Sequence, residues 1–155
     1  MHGLDRVDRK ILDILQRNGR ISITELAEHV NLSASPCAER VRRLERTGVI
    51  TGYHAHVSPS ALGKNLLVFV EIKLSAKSEQ VFESVKKELA HIPEVLECHL
   101  VSGDFDYIVK ARITEMNAYR KLLGEILRRL PSSAESRSYV VMEEIKETTY
   151  LSPAE

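Results

Sequence analysis

Residues 21–48 read ISITELAEHVNLSASPCAERVRRLERTG, and the way this stretch divides decides the fold of the first third of the chain. Ser22 and Glu25 have the spacing of a capping box, in which each side chain satisfies an amide that the helix start leaves open, and Ile21 and Leu26 can staple across it. The helix they begin is short and ends near Val30-Asn31, where asparagine tolerates the left-handed backbone of a tight turn. Ser33 then caps another helix, whose first turn accommodates Pro36 because its amides are unbonded in any case. Gly48 ends that helix. Upstream, Leu4, Val7, Ile11, Ile14 and Leu15 recur at helical spacing, with Asp5 to start the helix and Asn18-Gly19 to stop it. Helix, short helix, tight turn and further helix make up the helix-turn-helix pattern.

What the last of these helices displays gives the pattern its meaning. At about 100° per residue, Cys37, Val41, Leu44 and Gly48 fall within roughly 60° of one another and form its expected buried stripe. The opposite side carries Ser35, Glu39, Arg42, Arg43 and Arg46, with Arg40 on the flank. A solvated charged face is the plain alternative for any such helix. Arginines clustered opposite the core favour DNA, because a guanidinium grips guanine edges or phosphates bidentately and a helix of this width fits the major groove. The net charge of 0 looks unpromising for a nucleic-acid partner, but a basic surface is a local property. Residues 1–58 carry a net +2 and residues 59–155 a net −2.

After Gly48, Val49 to Val57 turns strand-like in composition, either a wing beside the DNA or a tether. Ser58-Pro59-Ser60 and Gly63 mark a linker, giving an expected division into a DNA-binding unit with its connecting strand (1–58), a linker (59–65) and a second unit (66–155). The second unit alternates regularly. Leu66 to Leu74 reads as a strand with Val68, Val70, Ile72 and Leu74 on one face. Ser78 to Ala90 reads as a helix burying Val81, Phe82, Val85 and Leu89. Strands follow at Val95 to Val101 and Asp106 to Ile113, separated by a turn at Ser102-Gly103. A second helix, capped by Thr114, places Met116, Tyr119, Leu122, Leu123, Ile126 and Leu130 at helical intervals until Pro131. A last strand is expected from about Arg137 to Lys146. The order βαββαβ predicts an α+β, ferredoxin-like antiparallel sheet with both helices on one face. The other face is left for a partner, most simply a second copy.

The composition of the 155 residues excludes several classes. Hydrophobic residues at 43% and charged residues at 28% are those of a folded globular chain. The longest apolar run, Leu66 to Val70, falls far short of the roughly 20 residues needed to span a bilayer. The first residues reach Asp5 without an apolar signal core. Cys37 and Cys98 match no disulfide or zinc spacing, so a cytoplasmic setting is expected. His54 and His56 share one face of the expected strand and His99 adjoins Cys98, but no third ligand is suitably spaced, so no metal is expected. No nucleophile–base pair, phosphate loop or carboxylate pair appears, which argues against an enzyme.

Three stretches together resemble a known family. Ser35 to Glu45 is similar to the recognition-helix signature of the leucine-responsive/asparagine-responsive (Lrp/AsnC, feast/famine) transcription regulators. Cys98 to Tyr107 and Ser138 to Glu144 are similar to hallmark stretches of that family's effector domain, most of all in its leucine-responsive branch. The resemblance runs from about Leu4 to Glu147 and implies a winged helix-turn-helix followed by an ACT-like domain called RAM. It also implies double-stranded DNA as a partner, homodimers that commonly assemble to octamers, and an amino-acid effector, leucine first, bound between C-terminal domains. Together with the reading of the third helix, the expected DNA-contacting set is Ser33, Ser35, Pro36, Glu39, Arg40, Arg42, Arg43 and Arg46. The implied effector set is Leu100, Val101, Ser102, Gly103, Asp104, Asp106, Met116, Tyr139, Val140 and Val141. Asn31 departs from the glycine common in the family's turn, and the chain starts without the basic leader that some relatives carry.

The residues around Gly103 suit an amino acid chemically. Its ammonium group needs a carboxylate, Asp104 or Asp106, and its carboxylate needs amide donors, which Ser102-Gly103 can offer. Leu100, Val101, Met116 and Val140 are candidates to receive an aliphatic side chain. The plain alternative is a hairpin turn with core residues beside it. At the level of function, the other reading is an amino-acid-sensing module that controls an enzyme through protein contacts, since fold does not fix function.

Overall fold

The computed structural model describes residues 3–130 and 134–153, which fall into two compact units. The first comprises residues 3–56 together with 146–153, and the second spans Val57–Ile145.

Three helices build the first unit: α1 (Arg6–Arg17), α2 (Ile23–His29) and α3 (Ala34–Arg46). Asp5 caps α1 through a reciprocal box with Asp8, each carboxylate accepting from the other's backbone N–H. At α2 the Ser22 hydroxyl accepts from Glu25 N–H at 3.2 Å. Ser33 is the N-cap of α3 by backbone conformation, without a side-chain bond to the helix. The turn between α2 and α3 has Asn31 at φ 55°, the left-handed value expected of it. Ile11, Leu26, Val30, Cys37, Val41 and Leu44 form the buried core. Burial also pushes the Cys37 thiol above its ordinary pKa.

Two expectations for this unit change. Gly48 is exposed rather than part of the buried stripe, and its φ of 73° shows why glycine is there: it ends α3 in the left-handed region. Residues 49–57 form no strand, so His54 and His56 share no strand face. The segment is instead tied by Tyr53, whose hydroxyl donates to Glu45 on α3 at 3.0 Å. Partial burial and that carboxylate push the phenol up to about 12.

After a 3-10 turn at Ser60–Leu62, the second unit runs β1 (Leu66–Leu74), α4 (Glu79–Leu89), β2 (Val95–Leu100), β3 (Tyr107–Ile113), α5 (Met116–Arg129) and β4 (Ala134–Val140). The sheet order is β2-β3-β1-β4, antiparallel throughout, as the ferredoxin-like reading requires. Val68, Val70, Ile72 and Leu74 meet Val85, Leu89, Tyr119, Leu122 and Ile126 in one core, while Val81 and Phe82 are only half-buried beside it. Glu115, not Thr114, is the N-cap of α5, and Met116 is 51% exposed instead of packed. Pro131 lies outside the described residues.

The last strand is shifted from the expected Arg137 to Lys146. Ala134 pairs with Leu74 and Val140 with Val68, and the β4 ladder closes with Val141 N–H reaching Leu67 O at 3.0 Å, one residue short of the start of β1. Residues 146–153 belong with the first unit, where Tyr150 and Leu151 contact α1, whereas the expected division places them in the second. Leu151 N–H donates to Gln16 Oε1 and Gln16 Nε2 to Leu151 O, both at 2.8 Å. Tyr150 donates its hydroxyl to Asp13, and Arg17 lies over its ring at 4.4 Å.

Candidate DNA-reading helix and effector loop

The arginines of α3 divide into two pairs. Ser35, Glu39, Arg42 and Arg46 recur at steps of four, three and four residues, which confines them to a stripe about 60° wide; all four are exposed. Pro36 and Ser33, at the start of α3, are exposed as well. Arg40 and Arg43 turn the other way, toward α1. Arg40 Nη1 lies 2.6 Å from Asp5 Oδ2 and 2.8 Å from Asp8 Oδ1, and Arg43 Nη2 lies 2.5 Å from Asp8 Oδ2. The Asp8 side chain is 1% exposed, so these two guanidiniums are what balance its charge. The Asp8 amide, followed by the Arg40 guanidinium, holds the Asp5 carboxyl below its usual range, and Asp5 and Asp8 in turn raise Arg40. The Asp8 clamp escaped the sequence reading, which measured Arg43 only against the core of its own helix.

The expected effector residues also separate. Leu100 ends β2, and Val101 to Asp106 form the β2–β3 connection, where Gly103 adopts φ 147°, a backbone that side-chain-bearing residues rarely take. Leu100, Ser102 and Asp104 are exposed and Val101 is half-buried. Asp106 is buried: its carboxylate accepts from Leu74 N–H at 2.8 Å and pairs with Lys77 Nζ at 2.7 Å. Burial alone raises the Asp106 pKa, but the Lys77 and Leu74 hydrogen bonds outweigh it and leave the group below its ordinary value. Tyr107 pairs with Ile72, which puts this loop at the Leu74 end of β1. Met116 follows Ile113, the partner of Leu66, and Tyr139, Val140 and Val141 lie opposite Phe69, Val68 and Leu67. The two groups therefore occupy opposite ends of the sheet, separated by about 13 Å over four strand residues. That gap exceeds the span of one amino acid, so a single chain does not bring the ten residues together.

Beside the loop, on the sheet face away from the helices, is an open hollow of about 240 Å³ lined by Glu71, Lys73, Asp104, Phe105, Glu135 and Arg137. It presents carboxylates and cations together, the pairing that a zwitterion requires. Apart from Asp104, these residues were not singled out from sequence. The available signal was period two, which puts Glu71 and Lys73 on one strand and Glu135 and Arg137 on another, all on the same face.

Comparison with known proteins agrees with both units. Residues 4–51 match a winged helix-turn-helix DNA-binding family, and residues 67–151 match the Lrp/AsnC ligand-binding domain. The chain belongs to the Lrp/AsnC family of DNA-binding transcription regulators, which pair that reading head with an amino-acid-binding domain. It is 55% identical over 148 residues to the leucine-responsive regulatory proteins of Escherichia coli K12 and Klebsiella pneumoniae, covering 96% of this chain and 90% of each relative. Among solved structures, a Neisseria meningitidis transcriptional regulator in complex with L-methionine superposes with a TM-score of 0.89 at 36% identity, covering 96% of both chains. A feast or famine regulatory protein from Mycobacterium tuberculosis, also complexed with L-methionine, gives 0.90 at 32% identity, covering 97% of this chain and all of that one.

Proposed function

We propose that this protein acts in the cytoplasm as a homodimer assembling to octamers, regulating genes of amino-acid metabolism or transport in response to leucine. The observation that carries this reading is the 55% identity with leucine-responsive regulators, which extends across both the DNA-reading unit and the ligand-binding unit. In this reading α3 enters the major groove with Ser35, Glu39, Arg42 and Arg46 toward the bases and phosphates, and Ser33 and Pro36 lie against the backbone at its start. A dimer then reads two half-sites an integral number of helical turns apart.

The effector site is composite. One copy supplies the Gly103 loop and the charged hollow, where Asp104 meets the ammonium group and Lys73, Arg137 and the loop amides meet the carboxylate. Another copy supplies Met116 and Tyr139 to Val141 for the aliphatic side chain. The 13 Å separation within one chain supports this division, and it makes ligand binding and assembly a single equilibrium. Asp106 acts behind the loop, fastening it to β1.

Selection of genomic fragments by the purified protein, alone, with leucine and with methionine, tests the reading. Discrete fragments near amino-acid genes whose recovery changes with leucine are expected. A response to methionine alone reassigns the effector, and an absence of enrichment in every condition refutes the regulatory reading.

A further inference from the structure

Half of the arginine charge on α3 is engaged within the protein. Asp8 lies one turn into α1 with its carboxylate buried, takes Arg40 and Arg43 on its two oxygens, and also accepts the Asp5 amide. Asp5 takes the second contact of Arg40. The four side chains form one cluster of two carboxylates and two guanidiniums whose net charge is zero. These four side chains therefore offer an approaching DNA phosphate no surplus charge. Moving either arginine onto a phosphate would leave Asp5 and the buried Asp8 to share one guanidinium, a net negative charge where Asp8 has almost no water to solvate it.

We propose that Asp8 is a positioning residue for DNA recognition, holding Arg40 and Arg43 out of the phosphate-contacting set so that α3 meets DNA with Arg42 and Arg46 alone. The clamp also fixes the rotation of α3 about its own axis, since a roll would break both ion pairs at once. This inference rests on the reading of the exposed α3 stripe as the DNA face. Sequestering two of the four arginines limits sequence-independent binding, which scales with the number of phosphates neutralised.

The test is the salt dependence of binding by the full-length protein to a random-sequence duplex, followed by fluorescence anisotropy. Asp8→Asn keeps the shape and leaves the cluster with one surplus positive charge, so the slope of log affinity against log salt steepens by about one phosphate contact. The double variant Asp8→Asn/Arg43→Gln restores neutrality and returns the slope to the wild-type value. This pattern is one that simple loss of folded protein does not give, because unfolding lowers the active fraction without changing the slope. An unchanged slope in folded Asp8→Asn overturns the proposal. So does a double variant about one contact shallower than wild type, which would make Arg43 a phosphate ligand in the native protein. Arg42→Ala and Arg46→Ala, run alongside, separate the two levels: if neither changes affinity or slope, the α3 stripe is not the DNA face, and that reading fails independently of Asp8.

Discussion

Asp106 gives the sharpest quantitative test, because sequence chemistry and structure assign it different work. From sequence it is a candidate to meet the effector's ammonium group; in the structure its carboxylate is committed to Leu74 N–H and Lys77. Replacement by alanine leaves the Leu74 amide, whose residue is 4% exposed, without an acceptor, at about 1–3 kcal/mol for a buried unsatisfied donor. Lys77 is 53% exposed, so its half-solvated pair adds at most about 1 kcal/mol. Asp106→Ala should thus cost about 1–4 kcal/mol, whereas Asp106→Asn, which keeps an oxygen for Leu74 and loses only the Lys77 pair, should cost at most about 1 kcal/mol. The folded pKa of Asp106 is depressed, so the charge-dependent part is present above the unfolded value near 4 and is lost as pH falls through the folded one. Wild type and Asp106→Asn should therefore converge in acid. The assay is urea unfolding followed by near-ultraviolet circular dichroism of the tyrosines, of which Tyr107 and Tyr119 lie in this core and no tryptophan interferes. Equal losses in the two variants, or a difference independent of pH, would refute the assignment. Asp106→Asn should also retain the effector response; its loss in a variant of near wild-type stability would return Asp106 to the ligand.

Arg42→Ala should weaken specific DNA binding by about 1–3 kcal/mol if the side chain reads a base, or lower the salt slope by about one if it holds a phosphate; titrations at several salt concentrations tell these apart. Gly103→Ala meets open space at its Cβ but keeps φ at 147°, so it should cost about 1–3 kcal/mol through the backbone alone and shift ligand affinity by isothermal titration with leucine. Tyr150→Ala removes the ring under Arg17 and the hydroxyl bond to Asp13 and leaves the tail on its Gln16–Leu151 pairing. Carboxypeptidase should then shorten the variant faster than wild type, and equal rates would show that Tyr150 does not hold the tail.

Wherever periodicity and capping act within one element, the sequence was a reliable guide. The strand Leu66–Leu74 and the helix Glu79–Leu89 between its Ser78 and Ala90 caps have the expected bounds, because alternation along β1 and the Ser78 hydroxyl are local signals. The left-handed turn at Asn31 was legible for the same reason. Bounds went wrong where a neighbour sets them. The residues after Val140 have strand composition, but the ladder closes at the Val141–Leu67 bond and Glu144 pairs instead with the Arg112 side chain, and Tyr150 binds α1 through a pairing that no spacing announces.

The functional residues follow the same rule. A helical wheel measures Arg43 against the core of α3 and places it outward, yet what Arg43 meets depends on the acid that α1 brings alongside. The signal that was present lies in paired spacing: Asp5 and Asp8 are three residues apart on one helix, and Arg40 and Arg43 are three apart on another, so two acids and two bases align once the helices pack. For the effector residues the corresponding signal is topology. Since β4 runs antiparallel to β1, and β1 antiparallel to β3, the loop before β3 and the residues ending β4 must lie at opposite ends of the sheet. A βαββαβ order thus already implies that residues from both places can meet one small ligand only across two copies, and for such a site assembly and ligand binding must be measured together.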